Sequence, residues 1–441
     1  MKGFRASFLD VIADPFYREE SECIRYFADG LLVVANGKVQ EIGNYADLRI
    51  RYADIPITNY SDRLIVSGFI DTHIHFPQTE MIAAYGEQLL EWLSTYTFPT
   101  EGKFSDRNYA QKISSIFLDE LLRNGTTTAL VFAAVFPQSV DAFFEEAQRR
   151  NLRMIAGKVM MDRNAPDFLT DTAESSYAET KQLIEKWHKC DRLLYAVTPR
   201  FAITSTSEQL SNAGKLLAEF PDVYLHTHLS ENIKEVETVA ELFPDSEGYL
   251  DVYDRAGLVG ERSVFAHGVQ LTDAEFAKLS NAKAAIAFCP TSNLFLGSGL
   301  FKLEKAKSIE TPVKVGLGTD VGAGTSFSIL RTASAAYQVA QLRSQKLSAF
   351  QSLFLATLGG ARALCLEDKL GNLEVGKEAD FVVLNLRSTT IMELRNQPFN
   401  ASNPLTLAEI SDQLFATLIM GDDRAIAATY IMGEIAYSHH L

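Results

Sequence analysis

The sequence predicts an α/β chain: a (β/α)8 TIM-type barrel with a small β-sandwich-like domain formed by both termini. Three observations lead there. Eight short apolar runs alternate with longer amphipathic stretches between Leu64 and Thr319. The two ends of the chain are instead rich in short β runs and turns. No G-x-G-x-x-G follows a first strand, which removes the main sign of a doubly wound open sheet.

In order, residues 1–63 read as the N-terminal part of the small domain. Gly30–Val39 is two β runs around Asn36-Gly37, a hairpin signal. The barrel is expected over 64–370. Its strands are Leu64–Thr72, Thr126–Phe132, Arg153–Val159, Leu193–Thr198, Val223–His228, Ser263–His267, Ala284–Cys289 and Pro312–Thr319. Continuously apolar strands separated by helices mean a parallel sheet covered on both faces. Eight such units over ~250 residues are the size of a closed barrel. The helices between them are Asp106–Arg123, Val140–Arg150, Ala173–His188, Ser207–Phe220, Ile233–Leu242 and Asp273–Leu279, with Ser139 and Thr272 as N-caps. Two more follow, Ser328–Leu342 and Ala349–Leu364. Residues 371–441 return to the small domain. Gly371–Asp380 is turn-rich and leads into a strand, Phe381–Leu384. Ala427–Tyr437 is a hairpin with its turn at Gly433-Glu434.

Composition narrows the function. The formal net charge of −15 disfavours a phosphate backbone or an anionic membrane as partner. Met1–Phe16 is broken by Lys2, Arg5, Asp10 and Asp14, so it is no signal peptide, and no apolar run approaches the ~20 residues of a membrane span. Four scattered cysteines without a C-x-x-C fit reduced thiols and a cytoplasmic location.

The chemistry is expected at the carboxyl ends of the strands. His73 and His75 end the first strand. Side chains two apart in a strand share a face, so two imidazoles stand side by side, with Asp71 on that face too. The fifth strand ends in His226, His228 and Glu231, the sixth in His267, the eighth in Asp320. Five of the eight histidines thus fall at strand ends. His188 closes a helix and His439 and His440 lie in the tail, where solvation is expected. His73, His75, His228 and Asp320 make an N3O set that suits one Zn2+ or Fe2+. No second metal is expected: Arg200 stands where a bridging carboxylated lysine would sit, and Lys158 reads as structural. Glu231 is the proton acceptor for a metal-activated water. Asp320 serves twice, as ligand and as hydrogen-bond acceptor from that water. His267 polarises the developing oxyanion or holds the water, and His226 packs below the metal. Arg200, a cation at the barrel top, is expected to meet a substrate carbonyl or carboxylate. Phe201 and Trp92 offer flat faces, and Gln78 suits an amide-like ring edge.

The ordered set His73-x-His75, His228 with Glu231, His267 and Asp320 resembles the amidohydrolase superfamily. Longer strings resemble its guanine-deaminating branch: Asp71–Gln78, Leu89–Leu93 through Thr97–Glu101, Gly157–Arg163, Thr198–Phe201, His228–Asn232 and Gly318–Gly324. The resemblance implies hydrolysis of guanine to xanthine and ammonia in purine catabolism or salvage. It implies zinc on His73, His75, His228 and Asp320, and proton shuttling by Glu231. Gln78, Arg200 and Phe201 would hold the purine, with His228 also counted as a substrate contact, and the enzyme would be a homodimer. The residues themselves leave zinc against iron open, and another aminated or chlorinated heterocycle (cytosine, a triazine, a pterin) open as substrate.

Overall fold

The computed structural model describes residues 1–86, 88–399 and 404–439. The chain clusters into two compact units. One is Met1–Ile70, Glu120–Thr127 and Ser328–Leu441; the other is Asp71–Asp119 and Thr128–Phe327.

The termini meet in one seven-stranded sheet. Its order is Glu434–Ser438, Ile426–Ile431, Phe381–Leu384, Ile57–Ser67, Lys2–Val11, Ile24–Ala35 and Lys38–Asn44. Phe4, Phe8, Leu32, Ile65, Phe381, Val383 and Tyr430 form its core. The hairpin at Asn36-Gly37 is present, with positive φ at both residues as a two-residue type I′ turn requires. The C-terminal hairpin turns at Met432-Gly433, one residue earlier than expected, because Ile431 pairs with Glu434.

The expected first strand, Leu64–Thr72, is in fact two. Ile57–Ser67 belongs to the terminal sheet and Phe69–His75 to the barrel. The break is at Gly68, whose N–H donates to Asp380 O while Phe69 N–H donates to Gly125 O. A Cβ there would lie 2.1 Å from Thr127 Oγ1, so only glycine lets the chain pass.

The barrel strands are Phe69–His75, Thr126–Phe132, Arg153–Gly157, Leu194–Pro199, Tyr224–Leu229, Ser263–His267, Ala285–Phe288 and Lys314–Leu317. They hydrogen-bond in that order, and a short Val159–Met160 segment adds to the fourth. The pairings from the fifth strand to the eighth are parallel. Backbone bonds from Asp320 N to His73 O (2.9 Å) and from His75 N to Val321 O (3.0 Å) join the eighth strand's end to the first.

The connecting helices fall near their expected limits. Thr272 caps Asp273–Asn281 in a reciprocal box with Glu275. Ser139, by contrast, is no cap: the helix begins earlier, at Pro137, whose missing N–H suits the first helical turn. The expected helix Ala349–Leu364 is interrupted at Thr357, giving Ala349–Ala356 and Leu358–Ala363. A helix absent from the sequence reading, Leu407–Met420, opens with a Thr406/Glu409 capping box. Among the described residues, no helix is long and apolar enough to cross a membrane.

Candidate active site

The first strand delivers His73 and His75 to one point, as its two-residue period requires. His73 Nε2 lies 3.1 Å from His75 Nε2, and His228 Nε2 lies 3.2 Å from His75 Nε2. Asp320 Oδ1 is 3.1 Å from His73 Nε2 and 3.2 Å from His75 Nε2. The outer faces of two rings are fixed by acceptors. His228 Nδ1 donates to Arg200 O at 2.7 Å, and His73 Nδ1 lies 2.7 Å from His226 Nε2. Burial holds all three rings below the ordinary imidazole range, His75 at about 3, so they are neutral.

Neutral rings fixed at Nδ1 turn lone pairs toward one another at Nε2. Such convergence needs a cation at its centre. A tetrahedral ion with ~2.0–2.1 Å bonds to nitrogen has ligand edges of ~3.3 Å, which these separations match. The donor set therefore fits a metal. His267 also brings a ring nitrogen into the cluster, within 4.8 Å of the donor atoms of His73, His228 and Asp320.

Asp71 shares the strand face but not the cluster. Its carboxylate receives the Thr319 hydroxyl and amide and the His73 amide, so it braces the residue before Asp320. His226 sits behind His73, as its packing role predicts. His267 Nδ1 donates to Asn293 Oδ1 at 2.9 Å. Its Nε2 stands 3.4 Å from Glu231 Oε2 and 3.8 Å from Asp320 Oδ2. His267 and Asp320 both hold left-handed backbone, φ 73° and 52°. L-residues with longer side chains adopt it at a cost, and at strand ends it redirects the side chain inward.

Glu231 is buried. Burial first, then the Asp320 charge, push its carboxyl up to about 8, partly offset by the Ser298 hydroxyl donating to Oε1 at 3.1 Å. Its amide, with that of Asn232, donates to Glu235 Oε2, which closes the capping box of helix Ile233–Leu242 with Asn232 as its N-cap. The loop that carries Glu231 is thus tied to the start of a helix.

Above the cluster is a small pocket, open in part to solvent. Trp92, Phe201, Leu89, Leu93 and Leu296 give it apolar walls, while Gln78, Arg200, Glu231, His267 and Asp320 supply polar groups. Arg200 does reach the pocket, but its charge is already met: Nη1 donates to both oxygens of buried Glu101, at 3.0 and 2.8 Å. Gln78 is fixed at both ends of its amide, Nε2 donating to Glu101 Oε1 at 3.0 Å and Oε1 accepting from Gly322 N–H at 3.1 Å.

Sequence reasoning missed Glu101, Asn293 and Ser298. Asn293 and Ser298 follow the seventh strand, and a search for polar residues beyond that strand's end would have reached them. Glu101 ends the Thr97–Glu101 string of the family resemblance, but no local pattern pairs it with Arg200 or Gln78. Lys158 is structural, paired with Asp171 and, at 3.3 Å, with Glu179. His188 is not solvated as expected: its Nδ1 accepts from Tyr195 N–H at 3.1 Å and its Nε2 is 3.4 Å from Asp222. His439 is half-buried, and His440 lies outside the described residues.

Known proteins give the same reading of the fold. The sequence profile of the amidohydrolase family matches residues 64–436. The guanine deaminase of Escherichia coli (strain K12) is 53% identical over 442 residues, spanning 100% of this chain and 98% of that protein. The solved E. coli guanine deaminase structure has a TM-score of 0.95, covering 100% of both chains. The guanine deaminase of C. acetobutylicum, solved with guanine bound in its active site, has a TM-score of 0.87 at 28% identity, covering 99% of this chain and 100% of that one.

Proposed function

The chain belongs to the amidohydrolase family, and from that premise we propose that it hydrolyses guanine to xanthine and ammonia. The observation that carries the chemistry is the meeting of three imidazole nitrogens and one carboxylate oxygen, with His75 Nε2 3.1 to 3.2 Å from each of the other three, beneath a small flat-walled pocket. His73, His75, His228 and Asp320 hold one zinc per chain in this reading. When bound, that ion supplies the Lewis acidity that makes water a nucleophile at neutral pH.

The chain's own groups do the rest. Glu231 Oε2 takes a proton from the water and passes it to the ring nitrogen beside the carbon that bears the amino group. A carboxyl pushed to about 8 serves both as base and as acid near neutral pH. Asp320 Oδ2 accepts a hydrogen bond from the same water, and His267 Nε2 faces both carboxylates. A C–O bond forms, the C–N bond breaks, and the second water proton leaves with the amine as ammonia. Arg200 donates to the ring carbonyl, Gln78 reads an amide-like edge, and Phe201 and Trp92 cover the ring faces. A homodimer working in the cytoplasm completes the proposal, supported by the family resemblance and testable by light scattering and cell fractionation.

Ammonia release from guanine, measured beside cytosine and adenine with metal content assayed on the same sample, tests the reading. Turnover of guanine alone is expected. Metal-loaded protein that leaves guanine untouched would refute it.

A further inference from the structure

We propose that Glu101, which does not line the pocket, is the positioning residue that makes the site read a neutral purine carbonyl and let go of the more acidic product. The inference rests on the guanine reading above. Three observations carry it.

Glu101 is 1% exposed and bonds to both polar recognition residues at once, Arg200 and Gln78. A carboxylate only accepts, so Gln78 must present its NH2 to Glu101 and its oxygen to Gly322 N–H. The donor and acceptor order of that amide is therefore set by Glu101. Phe98, on the same short helix Phe98–Gly102, places its ring centroid 5.7 Å from the Arg200 guanidinium carbon. Arg200 is thus held from two sides by one helix, with Nη1 taken up by Glu101.

The charge balance has a consequence for ligand choice. An unpaired buried guanidinium favours an anion. Deamination turns guanine into xanthine, a more acidic ring that is an anion at mildly alkaline pH. With Arg200 neutralised by Glu101, the pocket holds a neutral carbonyl compound well and its anionic product poorly. Arg200 also accepts His228 through its backbone oxygen, so the same residue spans the substrate end and the metal end of the site.

The test is steady-state kinetics on wild type, E101Q and E101D, with xanthine as inhibitor at neutral and mildly alkaline pH. E101Q is expected to raise the guanine KM about 10- to 100-fold while tightening xanthine inhibition about tenfold or more at the alkaline pH. E101D, which keeps the charge, should restore weak xanthine binding even where guanine KM stays high, and it stands in if E101Q does not fold. In an R200Q background, E101Q should no longer tighten xanthine inhibition, while the part of the guanine KM effect that runs through Gln78 remains. A merely structural ion pair weakens both ligands together. Parallel changes, or no change, in the two constants would overturn the proposal. Wild type inactive on guanine would remove this proposal and its parent alike, and is seen before any variant is made.

Discussion

Replacing Glu231 with glutamine is expected to lower activity and raise stability together. The side chain keeps its shape, and the Ser298 hydroxyl still has an oxygen to bond, 3.1 Å away in the wild type. Glu231 is not among the four proposed ligands, so bound metal should be unchanged. Turnover should fall ~10²–10⁴-fold, the usual contribution of positioned proton transfer, which is ~3–5 kcal/mol of barrier. The effect on stability has the opposite sign. Burial and the Asp320 charge raise this carboxyl from 4.5 to about 8 in the folded protein. The folded state then binds the proton more tightly than the unfolded chain. The stabilisation is complete below the unfolded value and is lost as pH rises through about 8. That interval corresponds to at most ~5 kcal/mol. Glutamine has no proton to lose. Urea unfolding of the metal-free proteins at about pH 5 and about pH 9 should show wild type losing several kcal/mol relative to the variant. Near-normal turnover in E231Q with full metal would remove Glu231 from the chemistry. Identical pH dependence of stability in the two proteins would refute the burial argument.

Asp320→Asn keeps the shape of the fourth ligand but removes its charge, and metal affinity should fall by about 100-fold or more, against the 10–100-fold typical for outer partners; metal per chain after dialysis against a graded chelator measures it. Asn293→Ala leaves His267 Nδ1–H without its acceptor, 2.9 Å away in the wild type. It should cost about 10- to 100-fold in kcat at unchanged metal content, with Asn293→Asp restoring much of it; full activity in the alanine variant would show that the ring needs no such hold. Gly68→Ala puts a methyl 2.1 Å from Thr127 Oγ1 and 2.6 Å from its Cγ2. About 1–3 kcal/mol of destabilisation is expected, read as a lower Tm, with Thr127→Gly recovering part of it.

The parts of this molecule legible in its sequence are those set by local period. Two histidines two apart on a strand must share a face, and His73 and His75 do. Apolar runs marked the barrel strands to within a few residues, and Thr272 marked a helix start. What stayed hidden depends on partners distant in the chain. Glu101 and Arg200 are 99 positions apart, and nothing near either one names the other. The break at Gly68 was hidden because the apolar run continues through it; two different sheets bury its two halves, and only the contact with Thr127 fixes where one ends.

The most informative misfit is in the backbone. Sequence rules reserve positive φ for glycine, asparagine and aspartate in turns. His267 breaks that rule at the end of the sixth strand, and Ser230, beside Glu231, breaks it after the fifth. Each such residue raises the energy of the fold. A strand continued with ordinary dihedrals would carry these side chains alternately inward and outward, and could not turn a histidine, a glutamate and an aspartate toward one point from neighbouring strands. The strain is held by bonds that fix these ends: Gly268 N–H to Leu229 O, Gln270 N–H to Ser230 O, and Thr319 to Asp71. Positive φ outside glycine thus coincides with the site at three strand ends, at Ser230, His267 and Asp320.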